Sequence, residues 1–165
     1  MNFYLEAMIT IYVTQKIPAP VEKVSRVLLE HQKLDRFFNA NISLKKPENN
    51  GEISGGKGAI RQIMIGKIVF FEEIISATTQ HICYRIIGKG PVSEHQGDIR
   101  LTSVDVDDKA SQLDYVITFK SPRWLPSFVL KWLVERDIKK AMGKLAQYFL
   151  TQNSITNRSV EGTSL

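Results

Sequence analysis

The segment Ala59-Ile60-Arg61-Gln62-Ile63-Met64-Ile65-Gly66-Lys67-Ile68-Val69-Phe70-Phe71-Glu72-Glu73-Ile74-Ile75-Ser76 decides the fold. Two runs rich in Ile, Val and Phe flank Gly66-Lys67, a pair suited to a two-residue hairpin loop. Under that loop Ile65 opposes Ile68, Ile63 opposes Phe70 and Arg61 opposes Glu72, and all six share one sheet face. The other face carries Ile60, Gln62, Met64, Val69, Phe71, Glu73 and Ile75. It is also largely apolar, so both faces are expected to be at least partly covered.

Outward from the hairpin, strands are expected over 7–17, 81–87, 93–104 and 113–119, separated by turn chemistry such as Gly88-Lys89-Gly90-Pro91. In the first, Ile9, Ile11 and Val13 alternate with Thr10, Tyr12 and Thr14. Short connections between consecutive strands imply an antiparallel meander. Pro18-Ala19-Pro20 ends the first strand, and Pro20 suits the first turn of a helix carrying Val21, Val24, Val27 and Leu28. A second short helical piece carries Leu34, Phe37 and Phe38. Residues 126–150 place Leu130, Val134, Ile138, Met142, Leu145 and Phe149 along one face of a long amphipathic helix. Strands followed by one covering helix make an α+β layered domain over 1–150. The Ser, Thr, Asn and Gln content of 151–165 leads to the expectation of a disordered tail.

Composition narrows the function classes. A chain of 165 residues with 43% hydrophobic content can bury about 70% of its unfolded surface, which excludes wholesale disorder. The single cysteine, Cys83, has no Cys or His at ligand spacing, so it is expected to be a small buried hydrophobe in a reducing compartment. No metal or cofactor is expected. Residues 1–7 lack a basic run followed by an apolar stretch, and no window reaches a membrane span, so a cytoplasmic location is expected.

Gly51-Glu52-Ile53-Ser54-Gly55-Gly56-Lys57-Gly58 imitates a phosphate-binding loop. Its context rejects that identity, because polar Asn49-Asn50 precede it, a strand pattern follows it, and Gly58 replaces the hydroxyl residue that magnesium needs. His31, His81 and His95 stand far apart with no metalloprotease or nucleophile-elbow spacing. Scattered cations balanced by carboxylates argue against a nucleic-acid surface.

The chemistry-bearing candidates lie on the strands. An Arg61 and Glu72 pair among apolar neighbours is expensive to desolvate, which makes it a candidate polar anchor inside a pocket. A solvated pair on the outer face is the plain alternative. Tyr84 lies between Ile82 and Ile86, His95 is in phase with Gly97, Ile99 and Leu101, and Tyr115 is in phase with Leu113, Ile117 and Phe119. Each is placed on the apolar side, where such residues usually satisfy one hydrogen bond. Trp124, Leu125, Phe128, Val129, Trp132 and Leu133 cannot all lie on the stripe headed by Leu130. Some are expected to cover a pocket entrance, a dimer contact or a membrane face.

This order of elements resembles the helix-grip fold of the START-like (SRPBCC) superfamily, in particular its polyketide cyclase/dehydrase and lipid-transport branch. The resemblance covers about residues 7–150. It rests on Ile17-Pro18-Ala19-Pro20-Val21-Glu22-Lys23-Val24, on Gly58-Ala59-Ile60-Arg61 with Glu72 following, on Tyr84-Arg85-Ile86, on Gly97-Asp98-Ile99-Arg100-Leu101, and on Ala141-Met142-Gly143-Lys144-Leu145. Ser25 stands after Val24 where the family typically has Trp.

The resemblance implies a curved seven-stranded antiparallel sheet wrapped around the C-terminal helix, with two short helices after the first strand. It further implies a deep cavity for lipids, quinones or polyketides. Arg61, Glu72, Tyr84, His95 and Tyr115 would point their polar ends into it, Phe70, Ile99 and Phe119 would form apolar wall, and Trp124, Phe128 and Trp132 would lie near the portal.

Three functions follow as expectations: a binder or carrier of a hydrophobic small molecule, an aromatase/cyclase-type enzyme with His95, Tyr84 or Glu72 as general acid or base, or a module docking on a membrane-associated partner. A sealed carbon-lined cavity would point to the first, convergent titratable groups with displaced pKa values to the second, and a collapsed cavity beside exposed aromatics to the third. The net charge of +5 concentrates on 122–150, where six cations face only Glu135 and Asp137. The simplest reading is a solvated helix face. The alternative is contact with an anionic membrane or an acidic partner.

Overall fold

A computed structural model describes residues 8–161. The segments 1–7 and 162–165, which hold the start of the chain and the end of the expected tail, lie outside the described residues.

The hairpin forms as its sequence requires. Strands β3 (Ile60–Ile65) and β4 (Ile68–Ala77) pair antiparallel with Arg61 opposite Glu72, Ile63 opposite Phe70 and Ile65 opposite Ile68. Around it stand β1 (Met8–Ile17), β2 (Asn41–Lys46), β5 (His81–Ile87), β6 (Ser93–Ser103) and β7 (Ser111–Lys120). All seven strands are antiparallel in one sheet of order β1-β7-β6-β5-β4-β3-β2, so the chain meanders from β2 to β7 and β1 closes against β7. Register irregularities at Leu44/Lys46, Ile74/Ser76 and Ser93/Gln96 add bends to three strands, and such bulges curl a sheet.

The concave face holds the core. On β7 alternation is complete, with Ser111, Leu113, Tyr115, Ile117 and Phe119 buried. Ile9, Ile11 and Val13 of β1 lie opposite Phe119, Ile117 and Tyr115. Helix α1 (Val21–Leu29) buries Val21, Val24, Val27 and Leu28, and a 3₁₀ turn (His31–Arg36) buries Leu34. Ser25 donates to the Thr78 carbonyl, and the Ser111 hydroxyl donates to the Ala19 carbonyl. These bonds tie α1 to the far ends of the strands. Each fully buried large apolar side chain contributes roughly 1.5–3 kcal/mol, so the sheet-to-helix layer dominates stability.

Helix α2 (Ser127–Glu161) runs beside β1 from one end of the sheet to the other, where the Asn153 amide donates to the Pro18 carbonyl. Ile138, Ala141, Met142, Leu145 and Phe149 bury its inner face, while Leu130 and Val134 are half-buried. This is the α+β helix-grip arrangement.

The structure corrects two local expectations and refines a third. Strand β2 lies between the second helical piece and the Gly51–Gly58 segment, where the residues themselves give no strand pattern, because its apolar signal is limited to Ile42 and Leu44. The outer face of the β3–β4 hairpin is partly covered as expected, with Ile60, Gln62, Glu73 and Ile75 half-buried, but toward the tip Met64, Val69 and Phe71 are exposed together with Ile65 and Ile68. The helix continues to Glu161 instead of giving way to disorder at Thr151. Thr151, Ser154 and Thr156 each donate a hydroxyl hydrogen to the carbonyl four residues earlier, so their side chains are satisfied within the helix instead of competing with it from a turn.

Candidate functional site

Strand register brings the polar candidates to one place on the concave face. Arg61 and Glu72, opposite each other on β3 and β4, are both buried. The Arg61 guanidinium donates from Nε to Glu72 Oε2 at 2.8 Å, and its Nη2 lies 2.7 Å from the same oxygen. Its plane lies over the Tyr84 ring, with Cζ 4.7 Å from the ring centroid. Tyr84 shares a short hydrogen bond with the hydroxyl of Tyr115. His95 lies beside Tyr84, its ring centroid 5.5 Å away.

Two glycines make this arrangement possible. Gly97 is paired with Tyr84 across the β5–β6 ladder, and the tyrosine ring leans into the space a side chain would take. Gly55, at φ +72°, lets its loop lie against the backbone of Leu29 and turn its carbonyl to His31 Nε2 at 2.7 Å. His31 Nδ1 faces Arg61 Nη1 at 3.4 Å. The guanidinium must donate there, so Nδ1 accepts and the hydrogen resides on Nε2, which donates to Gly55. His31 belongs to the cluster, although its position in sequence gives no sign of it. A contact spanning the loop from β2 to β3 leaves no local spacing to read.

The electrostatics follow from burial. Burial alone would lower the pKa of Arg61, but the charge and hydrogen bond of Glu72, with Tyr84 and Tyr115, together more than offset it and the guanidinium stays charged. Burial lowers His31 to about 4, and the Arg61 charge adds to that push. His95 is also lowered, first by burial, with Arg61 adding to the fall while Glu72 and its own main chain pull back. Tyr84 is raised well above its ordinary value by burial, and Tyr115 is raised to about 12 by the same cause. Near neutrality the cluster therefore holds one ion pair, two neutral imidazoles and two protonated phenols. His95 Nδ1 is buried and has no hydrogen-bond partner.

Phe70, Ile99 and Phe119 are buried on this face. On the same face the polar ends of Arg61, Glu72, Tyr84 and Tyr115 meet one another. Access comes from one side, where a cleft of about 420 Å³, open to solvent, is lined by Ile86, the 88–94 loop, His95, Ser121 and Pro122. His95 thus connects the cleft to the cluster. The turn from Pro122 to Leu125 leads from the cleft wall into α2, and Trp124, Phe128 and Trp132 are 81%, 74% and 60% exposed on it. They form no part of the core.

Other candidates carry no chemistry. Cys83 is buried, and burial raises its thiol pKa. The Gly51–Gly58 segment is a turn-rich loop that leads directly into β3. Among the described residues no three His, Cys, Asp or Glu side chains converge as metal ligands, and no helix is long and apolar enough to cross a membrane.

Residues 8–149 match the family model for polyketide cyclase/dehydrase and lipid transport. A START superfamily protein from Mycobacterium smegmatis superposes with a TM-score of 0.72 at 9% identity, over 87% of this chain and 98% of that one. The protein XoxI from Bacillus cereus gives 0.66 at 15% identity, over 87% and 97%. A protein from Thermobifida fusca gives 0.64 at 14%, over 85% and 92%. At these identities the solved structures speak to the fold alone. No curated protein matches the chain.

Proposed function

The chain belongs to the polyketide cyclase/dehydrase and lipid-transport family of the START-like superfamily, and from that premise we propose that it binds a hydrophobic small molecule with a polar head. The head enters past His95 and is held by the Arg61 cluster, while the apolar body lies between sheet and α2. The observation that carries this reading is the buried Arg61–Glu72 pair joined through Tyr84 to His95, whose Nδ1 is buried without a partner beside an open cleft.

Two physical reasons support it. Buried ion pairs are rarely kept for stability, since well-packed apolar residues do as well or better. A buried polar atom left unpaired costs about 1–3 kcal/mol, which a ligand head bonding to it would recover. Arg61 uses three of its five N–H donors on Glu72 and His31, leaving donors for a carboxylate or keto oxygen. Admitting the apolar body requires α2 and the 88–94 loop to part from the sheet, whose face toward α2 is filled by core side chains.

The test uses anilinonaphthalene sulfonate, an apolar anion, titrated into the protein and competed with oleate. One competable molecule per chain, weakened about tenfold or more by His95→Ala, supports the reading. Weak, multiple binding that ignores the substitution overturns it.

A second reading, catalysis of the cyclase type, is favoured by the same convergence of displaced groups. Neutral His95 can accept a proton and the Tyr84 and Tyr115 phenols can donate to a developing oxyanion. Turnover of a poly-β-keto thioester that disappears in His95→Gln, with binding retained, would distinguish it from simple carriage.

A further inference from the structure

The strand register puts several separate features at one end of the sheet. Phe71 pairs with Ile87, and Ser93 pairs with Lys120, which pairs with Met8. The β3–β4 tip, the 88–94 loop and the entrance to α2 therefore all project from the same end. The opposite end carries Pro18, the 78–80 turn and the 104–110 loop.

This first end is apolar in two places. Trp124, Phe128 and Trp132 project from the start of α2, and their exposed fractions amount to about 300–500 Å² of aromatic surface. Ile65, Ile68 and Val69, each about half exposed, project with Met64 and Phe71 from the hairpin. Four strand positions, β7-β6-β5-β4, separate the two groups, about 15 Å along the sheet. Between them opens the cleft that reaches His95. The aromatic group alone is comparable to the largest apolar patch of a typical monomer, and the hairpin tip adds a second.

The charge at this end is predominantly positive. Lys67, Lys89, Lys120, Arg123 and Lys131 outnumber the acids beside them, of which Glu94 is paired with Lys120, Asp35 lies next to the hairpin tip and Glu135 lies next to Lys131. The Arg136 guanidinium lies over the Trp132 ring, 5.0 Å from its centroid. Amphipathic aromatic rings beside cations suit the headgroup layer of an anionic bilayer, where each Lys or Arg near the surface strengthens attachment about fivefold.

We propose that this end of the protein docks on an anionic phospholipid surface, with the α2 entrance and the β3–β4 tip as two apolar prongs and the cleft mouth between them turned to the bilayer. A second copy of the chain would match the apolar area but would oppose cation to cation across a two-fold interface. An anionic lipid surface satisfies both features. Docking needs no bound ligand, so it stands or falls separately from ligand binding.

The protein carries its own probe. It has two tryptophans, Trp124 and Trp132, and both lie on the proposed surface. Vesicles of phosphatidylcholine with phosphatidylglycerol should shift their emission to the blue and shield them from acrylamide, whereas phosphatidylcholine alone should do so much less. Phe128→Glu and Ile68→Glu keep both tryptophans and touch separate prongs, and each should weaken vesicle binding at least tenfold. Lys89→Gln combined with Lys131→Gln should weaken it about 25-fold, in step with the effect of added salt. Circular dichroism confirms that each variant is folded.

Equal binding to both vesicle types would overturn the charge part, and an Ile68→Glu variant that binds like the parent would overturn the two-prong geometry. A blue-shifted emission that tracks protein concentration without vesicles, together with a dimeric mass, would overturn the proposal in favour of self-association. The anilinonaphthalene sulfonate titration, run without lipid, reads ligand binding independently.

Discussion

Alanine at Gly97 should dislodge the centre of the polar cluster. A Cβ there would lie 2.2 Å from both Cε1 and Cζ of Tyr84 and 2.6 Å from its hydroxyl. Carbon atoms rest about 3.5–4.0 Å apart, so the ring has to withdraw by roughly 1.3 Å or more. Its surroundings resist that movement. The Arg61 guanidinium lies over the ring, His95 lies beside it, and its hydroxyl is bonded to Tyr115.

Overpacking a filled core costs about 1–3 kcal/mol, and a lost hydrogen bond adds about 1 kcal/mol. Against this, alanine removes glycine's excess freedom in the unfolded chain, returning about 0.5–1 kcal/mol. The net loss is about 1–3 kcal/mol, a fall in Tm of roughly 2–12 °C for a domain of this size. Urea unfolding should show a lower midpoint with an unchanged slope. The decisive control is Tyr84→Leu. In that background Gly97→Ala should cost little or nothing, giving a coupling of at least about 1 kcal/mol. A Gly97→Ala variant within about 0.5 kcal/mol of the parent in both backgrounds would refute the wedged placement of Tyr84.

Replacing only Arg61 by Met strands Glu72 in the interior and should cost about 3–5 kcal/mol, whereas Arg61→Met with Glu72→Leu should restore most of that stability while the affinity for anilinonaphthalene sulfonate stays low; urea unfolding and probe titration read the two separately. The pH dependence follows from His31, whose folded pKa of about 4 lies below its unfolded value near 6.5. The unfolded chain then binds more protons between those values. Stability is complete above about pH 6.5 and falls on acidification by about 1.4 kcal/mol per unit, up to roughly 3 kcal/mol by pH 4, with His95 acting in the same direction. His31→Gln should flatten part of that slope in urea unfolding followed from neutral to acidic pH, and a flat profile in the parent would contradict the buried neutral imidazole. Cys83 should resist a disulfide reagent in the native protein and react fully in urea, because burial both shields the thiol and raises its pKa.

The hairpin was legible because its information is local. Gly66-Lys67 fixes the register, and the register alone sets Arg61 against Glu72. Tyr84 and Tyr115 were legible because each falls in phase with buried neighbours on its own strand. Their meeting was not, since it depends on two further strand pairings and on the gap above Gly97. His31 was hidden because a loop from another part of the chain supplies its partner. Strand β2 was hidden for a different reason: two apolar residues among Asn, Ser and Lys give no periodic signal until β3 lies beside them. The polar end of α2 illustrates the limit of composition, because residues without apolar character continued a helix already nucleated by a buried stripe.

The two costly features of this molecule have opposite signs and face the same way. One is charge placed inside, the Arg61–Glu72 pair with its buried imidazoles and phenols. The other is apolar surface placed outside, at Trp124, Phe128, Trp132 and the hairpin tip. Folding alone would remove both, since Leu or Met would fill the interior and Lys or Glu would cover the surface at no loss of core. The opposite end of the sheet shows what folding alone produces. There Ser111 and Ser25 each satisfy one backbone carbonyl, and Asn153 ties the helix to Pro18. A molecule that is mostly apolar with one polar head, taken from a lipid surface, reconciles the two. Its body needs an apolar route from the bilayer, and its head needs a charged receptor at the end of that route. The cleft wall at His95 lies between them, so substitutions there should slow ligand entry more than they weaken docking.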